Sequence, residues 1–198
     1  MQTTRPRCSQ CLRPLRTCIC HLAVPIENAI EVVILQHPQE QFQAKGTAKL
    51  LDLCLKNSHL EIGETFEPAL LDSLTCPTKT TLLLFPNDES QTEANAGNVE
   101  PLQCPPDKLR LIVIDGTWRK ARKMMHLNPA LAQLPRLSIA QRDSQYLIRK
   151  TPKAGQLSTL EAAYWALEEL GEPHPDLLNS FKALMTMHMK FRPPSHTE

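Results

Sequence analysis

No uninterrupted apolar run in this 198-residue chain approaches the ~18 residues a membrane-spanning helix needs, so a membrane protein of that kind is not expected. The opening Met1-Gln2-Thr3-Thr4-Arg5-Pro6-Arg7 carries no apolar h-region, so no secretory signal is expected. Glycine is scarce at six residues. No G-x-G-x-x-G follows an apolar run, and G-x-x-x-x-G-K-[ST] does not occur, so dinucleotide-fold and P-loop readings lose their usual support. Ligand contacts must then come from loop backbones and polar side chains at strand ends. Net charge is also nearly lacking, at +1, which argues against a wholly basic nucleic-acid binder. Seven cysteines, an odd number without a secretory signal, point to a reducing cytoplasm rather than a disulfide scaffold.

The charge that is present is segregated. Residues 108–153 hold eleven Lys or Arg against Asp115 and Asp143, a local +9, whereas residues 154–198 carry three basic and six acidic side chains. Such segregation marks a basic face rather than an evenly solvated surface.

Four of the cysteines crowd together as Cys8-x2-Cys11-x6-Cys18-x-Cys20, among Arg5, Arg7, Arg13 and Arg16. This stretch has almost no apolar periodicity and cannot order itself by core burial alone. Four thiolates at this spacing can close a structural tetrahedral zinc site that supplies the missing folding energy. His21 is an alternative to Cys20 as fourth ligand, and uncoordinated or redox-active thiols are the competing reading. The expected organisation is therefore a cysteine-rich zinc segment over 1–27 and a catalytic domain over 28–198. Cys54, Cys76 and Cys104 read as core or loop thiols.

Within the larger region, Ile30-Glu31-Val32-Val33-Ile34-Leu35 reads as a buried strand ending at Gln36-His37-Pro38, and a helix is expected over 42–57. Thr81–Phe85 forms a second strand, and 87–107 reads as a surface excursion. Leu109–Ile114 forms a third strand, residues 118–127 a helix, and Pro135–Ile139 a brief fourth strand. Ser158 and Glu161 have the spacing of a capping box that opens a helix ending near Leu170, and a last amphipathic helix covers roughly 175–191. Strands alternating with helices predict an α/β fold, a mostly parallel sheet with helices on both faces.

The third strand is the most apolar run, and it stops at Asp115-Gly116-Thr117-Trp118. An acid, a glycine, a hydroxyl and an indole at the carboxyl end of a buried strand stand where open α/β sheets bind ligands. Arg119-Lys120-Ala121-Arg122-Lys123 follows at once. A ligand-facing loop joined to a cationic helix suggests an enzyme acting on nucleic acid.

These residues resemble the DTW-domain family, whose D-x-T-W motif corresponds to Asp115 to Trp118. The resemblance extends to the cysteine-rich start, His37-Pro38, Lys45-Gly46-Thr47-Ala48, Leu84-Phe85-Pro86, Pro135-Arg136-Leu137, Tyr146 to Lys150 and Leu157 to Ala162. It covers about residues 8–170, and the tail after residue 174 and the 87–107 excursion match no family element. It implies a tRNA-uridine aminocarboxypropyltransferase of the bacterial type, related to the SPOUT superfamily and carrying a trefoil knot. It further implies transfer of the 3-amino-3-carboxypropyl arm of S-adenosylmethionine to N3 of a tRNA uridine in the variable loop, leaving methylthioadenosine. The rival functions are a SPOUT-like RNA methyltransferase and a non-catalytic zinc-containing RNA-binding protein.

On that resemblance, Asp115, Thr117 and Arg136 are the expected catalytic residues. Asp115 acts as general base or orients it, with contact to the cofactor's amine or ribose and a plain N-cap of helix 118–127 as alternatives. The expected cofactor site comprises Leu84, Phe85, Pro86, Asp115, Gly116, Thr117, Trp118, Pro135, Arg136, Leu137, Leu157, Ser158, Thr159 and Glu161. Arg136 would hold a carboxylate bidentately or meet a phosphate, a surface ion pair being the alternative. Trp118 would stack on a base or anchor its helix from inside. Phosphate contacts fall to Arg119, Lys120, Arg122, Lys123, Arg142, Arg149, Lys150 and Lys153, with the arginines near the cysteines as a second patch. His37 would touch RNA or cap a turn. Zinc would be held by Cys8, Cys11, Cys18 and Cys20. A cytoplasmic location is expected, and the oligomeric state is open with a lean towards a monomer.

Overall fold

The structure, a computed structural model, describes residues 6–86, 104–139, 144 and 157–190. Five strands form one sheet: β1 (Glu31–Gln36), β2 (Ser58–Ile62), β3 (Thr80–Leu84), β4 (Leu109–Asp115) and β5 (Arg136–Leu137). Their order is β2-β1-β4-β3-β5 and every pairing is parallel. Among the described residues six α-helices flank it: α1 (Ala48–Cys54), α2 (Pro68–Thr75), α3 (Trp118–Leu127), α4 (Pro129–Ala132), α5 (Thr159–Glu169) and α6 (Pro175–Lys190). The α/β fold with a parallel sheet is as expected from the alternating pattern.

The period-two alternation of the strands divides the core into two layers. Val32, Ile34, Leu82, Leu109, Leu111 and Val113 face α1, α5 and α6, where Leu50, Leu51, Leu160, Leu167, Phe181 and Leu184 meet them. Val33, Leu35, Leu83 and Ile112 face Leu74, Met124, Met125, Leu131 and Leu134 around α2, α3 and α4. Both faces are thus covered, which is why β1 and β4 read as continuous apolar runs. By the same alternation Asp115 ends β4 on the α1/α5 side.

The order fixes where a ligand belongs. From β1 the chain turns outward to β2, whereas from β4 it proceeds in the opposite direction to β5. The carboxyl ends of β1 and β4, where Gln36 is paired with Asp115, therefore bound the crevice at the topological switch point.

Some expected boundaries differ. The helix expected over 42–57 is only Ala48–Cys54, preceded by a single 3-10 turn at Pro38–Glu40. Its early end has a cause: Ile26 N–H donates to Cys54 O and Lys56 N–H to Ile26 O, so the chain leaves the helix to bridge alongside Ile26. β2 is an edge strand in which Ser58, His59, Leu60, Glu61 and Ile62 give no apolar run, and β5 is two residues rather than five. The capping box is present: Ser158 Oγ accepts from Glu161 N–H at 3.3 Å and Glu161 Oε2 from Ser158 N–H at 2.9 Å. Residues 87–103 of the 87–107 excursion, together with Arg142, Tyr146, Arg149, Lys150 and Lys153, lie outside the described residues, and the end of the excursion runs into a 3-10 turn at Pro106–Lys108.

The cysteine segment is packed onto the same core. Ile19 is fully buried and Cys11 is buried beside it in the α1/α5/α6 layer. Leu12, at φ 59°, is the left-handed residue that lets the turn between Cys8 and Arg13 close. No described helix is long and apolar enough to cross a membrane.

Candidate active site

A cavity of about 540 Å³ opens at the carboxyl ends of the strands, within the size range of small-molecule sites. Three strand-end loops, the segment from Glu40 to Thr47 and the start of α5 surround it. Asp115 lines it and is only 6 % exposed. Gln36 Nε2 donates to one carboxylate oxygen at 2.9 Å, and the Thr159 hydroxyl donates to the other. Burial pushes the Asp115 carboxyl above the ordinary range, while the bonds from Thr159 and Gln36 pull the other way. Glu40 adds to the rise and Lys120 opposes it.

A buried carboxyl held by two donors is oriented as well as perturbed, the combination expected of a group that takes a proton. The N-cap of α3 is Thr117, whose hydroxyl accepts from Lys120 N–H at 3.4 Å, so Asp115 is released from the capping role. Gly116 keeps this loop close: a Cβ there would lie 3.3 Å from the Lys120 side chain and 3.7 Å from that of His37. His37 is buried and caps the Pro38–Glu40 turn, its Nδ1 accepting from Gln39 N–H at 3.1 Å. Its other nitrogen meets Glu64 at 2.6 Å, so it serves the turn rather than a ligand surface.

The start of α5 is tied to the cavity from two sides. Thr47 Oγ1 accepts from Leu160 N–H at 3.2 Å, while Glu161, 2 % exposed, also accepts from the Ser144 hydroxyl at 2.9 Å. With the capping box, these bonds occupy the amides of Leu160 and Glu161, and Ser158 and Thr159 line the cavity wall. Opposite them, Leu84, Phe85 and Pro86 form an apolar wall. Trp118 packs edge-on to Phe85 with ring centroids 5.6 Å apart, yet it remains 47 % exposed, so it is not a buried anchor for α3. Its free ring area rims the cavity.

Of the residues expected around a cofactor, Leu84, Phe85, Pro86, Asp115, Gly116, Thr117, Trp118, Leu137, Leu157, Ser158 and Thr159 all line the cavity. Pro135, Arg136 and Glu161 stand outside the lining. Arg136 donates to Pro86 O at 3.1 Å and lies 5.5 Å from the Phe85 ring centre, which braces the apolar wall from behind. Sequence reading did not single out Gln36, Glu40, Gln43 or Thr47 for this site. Gln36 carried a signal, a polar residue ending an apolar strand. Glu40 and Thr47 become visible only through partners distant in sequence.

Among the expected phosphate contacts on α3, Arg119 and Arg122 are exposed. Lys120 instead pairs with Glu40 at 2.6 Å, with both side chains more than four-fifths buried, which draws the cavity rim onto α3. Lys123 pairs with Glu64 at 2.5 Å and stays half-exposed.

At the amino end, the sulfurs of Cys8, Cys11, Cys18 and Cys20 lie within 4.8 Å of one another. Cys8 and Cys20 are 3.7 Å apart, Cys11 and Cys18 3.8 Å. A tetrahedron of thiolates at a Zn–S distance of about 2.3 Å has edges of about 3.8 Å, so the set fits such an ion. All seven cysteines are free thiols. Backbone amides of Cys11 and Gln10 hold the Cys8 thiol down to about 6, whereas burial and the neighbouring thiols push Cys20 up to about 12. Four sulfurs gathered in this way suit a cation that discharges their mutual repulsion. His21 is exposed and is not part of the cluster.

A parallel α/β sheet with a cavity at its switch point, a buried Asp in a D-x-T-W loop and a four-cysteine cluster define an α/β protein of the DTW type. The DTW domain family model matches residues 5–189, and the chain belongs to that family. Among curated proteins it is similar to tRNA-uridine aminocarboxypropyltransferase 2 of Macaca fascicularis, 34 % identical over 204 residues, covering 94 % of this chain and 64 % of that protein. The protein of the same name from Mus musculus is 33 % identical over 199 residues, with the same two shares. tRNA-uridine aminocarboxypropyltransferase A of Arabidopsis thaliana is 26 % identical over 220 residues, covering 96 % of this chain and 83 % of that protein. The chain thus spans just under two thirds of the length of the two mammalian relatives. No solved structure matches it.

Proposed function

We propose that this protein is a tRNA-uridine aminocarboxypropyltransferase, moving the 3-amino-3-carboxypropyl group of S-adenosylmethionine to N3 of a uridine in the tRNA variable loop. The observation that carries the reading is the buried Asp115, held by Gln36 and Thr159 inside a cavity of about 540 Å³ at the switch point of a DTW-family sheet. The names of the similar proteins support the same chemistry.

In this reaction N3 of the uridine attacks the methylene carbon next to the sulfonium. A C–N bond forms, the C–S bond breaks with its electron pair passing to sulfur, and methylthioadenosine leaves. The imide proton of N3 goes to a base, for which Asp115 is the candidate, with Thr117 beside it in the lining and Arg136, outside the lining, assisting only by bracing the Phe85–Pro86 wall. Selecting this carbon over the methyl is a matter of orientation, so a rigid cavity matters more than a strong nucleophile. Phe85 and Trp118 offer apolar and aromatic faces to adenine or the acceptor base. Arg119 and Arg122 offer charge to phosphates, and Arg142, Arg149, Lys150 and Lys153 extend that expectation outside the described residues.

The proposal includes the finer assignments: a SPOUT-like sheet with a trefoil knot, bacterial-type activity, a zinc segment over 1–27 beside a catalytic domain over 28–198, structural zinc on the four cysteines, and a monomer in the cytoplasm. The test is incubation with S-adenosylmethionine and unmodified tRNA, followed by mass analysis of the nucleosides. A uridine heavier by the aminocarboxypropyl group is the expected product. A methylated nucleoside would transfer the assignment to a methyltransferase, and unchanged tRNA with intact binding to a non-catalytic RNA binder.

A further inference from the structure

The guanidinium of Arg13 spans two backbone carbonyls of the segment 43–47. Nη1 donates to Ala44 O and Nη2 to Gly46 O, both at 2.8 Å. The backbone of the same residue belongs to the cluster: Arg13 O accepts from Cys8 N–H at 2.8 Å and so closes the turn that carries Cys8 and Cys11. Arg7 adds a second tie, lying 5.2 Å from the Phe42 ring centre while bonding Leu12 O. The gripped segment is itself cavity wall, for Gln43, Lys45, Gly46 and Thr47 all line it. It is also compact: Gly46 N–H returns to Gln43 O at 2.9 Å, and a Cβ on Gly46 would come within 3.2 Å of that carbonyl. At its far end Thr47 holds the first turn of α5, which presents Thr159 to Asp115.

The groups facing Arg13 also fit a bracing role. His188 on α6 lies against the same segment and bonds the Ala44 backbone; burial and the charges of Arg13 and Lys45 nevertheless keep its imidazole below the ordinary range. No part of this arrangement requires RNA.

We propose that Arg13 is a positioning residue that couples the metal-binding cysteine cluster to the ligand cavity, by fixing the 43–47 wall against the turn that carries Cys8. The cluster is then a brace for the cavity, and Arg13 is withdrawn from the RNA-contacting patch expected from sequence. The cofactor arm of the test rests on the reading of the cavity as an S-adenosylmethionine site.

The experiment compares zinc-loaded full-length wild type, Arg13→Ala and Arg13→Lys. Amide hydrogen exchange, S-adenosylmethionine affinity without RNA, and tRNA affinity against salt are measured, with metal content and melting temperature alongside. Loss of two bonds from a charged donor is expected to speed exchange over 43–47 and to raise the S-adenosylmethionine Kd about tenfold in Arg13→Ala. The salt slope of tRNA binding and the metal content stay as in wild type. Arg13→Lys restores little, because one ammonium cannot span both carbonyls. Chelation of wild type speeds exchange over the same residues.

Unchanged exchange over 43–47 in Arg13→Ala overturns the proposal. So does a salt slope reduced by about one with unchanged cofactor affinity, the mark of a phosphate contact. Should Arg13→Ala fail to retain zinc, zinc-loaded Arg13→Lys decides, and wild-type exchange there is the overturning result. Wild type that binds no S-adenosylmethionine sinks the functional reading instead, leaving the exchange arm to judge the brace alone.

Discussion

Asp115→Asn removes a charge from the lining of the cavity while keeping the shape of the side chain. The structure indicates that the fold tolerates it. Gln36 Nε2 can only donate, and the asparagine carbonyl can accept from it as the carboxylate does at 2.9 Å. The Thr159 hydroxyl, now a donor to Asp115, can turn and accept from the asparagine amide. Both contacts to residue 115 are thereby kept. Two charge-assisted bonds become neutral ones, a loss of about 1 kcal/mol, offset by no longer burying a carboxylate. The folded-state pKa of Asp115 lies above its unfolded value of 3.8. Its contribution to stability is therefore fully present below that value and is lost as pH rises through the folded one. The variant escapes that loss, so its melting temperature near neutral pH should lie within about 4 °C of wild type or above it. Turnover should nevertheless fall by about 10²–10⁴-fold, the usual contribution of a positioned base. Wild-type turnover should decline as pH falls towards the raised pKa, and the variant should lack that limb. Single-turnover transfer to unmodified tRNA, with cofactor affinity by calorimetry, reads the outcome. Near-normal turnover with normal affinity would refute the base assignment, while raised Kd with retained saturating turnover would make Asp115 a cofactor ligand.

Glu31→Gln probes the sheet. Glu31 receives Lys79 at 2.7 Å and Arg110 at 3.0 Å, joining β1, β3 and β4, and Arg110 is itself buried. Burial pushes the Glu31 carboxyl up, but its two cationic partners outweigh that and hold it below 4.5, so the stability it adds is present above 4.5 and lost as pH falls through its lowered value. The variant should lose about 2 kcal/mol at pH 7, a drop of about 4–8 °C in melting temperature, and converge on wild type in acid. On α3, Arg119→Ala and Arg122→Ala should each reduce the salt slope of tRNA binding by about one without altering S-adenosylmethionine affinity. Lys120→Ala should do the reverse, because its ammonium is committed to Glu40; a reduced salt slope with unchanged cofactor affinity would contradict that pairing.

The strands β1, β3 and β4 were legible because burial on both faces leaves no polar alternation, and the opening of α5 because Ser158 and Glu161 form a local motif. β2 was illegible because an edge strand such as Ser58–Ile62 needs no apolar run, its identity coming from pairing with β1. The end of the helix expected over 42–57 was illegible because Ile26, far back in the chain, sets where it stops. In the site, strand-end residues such as Asp115 announced themselves by breaking apolar runs. Glu40 and Thr47 did not, since only contacts across 80 and 113 residues turn them into cavity wall. Lys120 shows the converse: its place in a cationic run says nothing of a buried partner.

The small molecule released in the reaction tests the central claim most directly. When wild-type protein turns over S-adenosylmethionine with unmodified tRNA, methylthioadenosine should accumulate one for one with modified uridine. Release of S-adenosylhomocysteine, or no release while tRNA and cofactor both bind, would contradict the account.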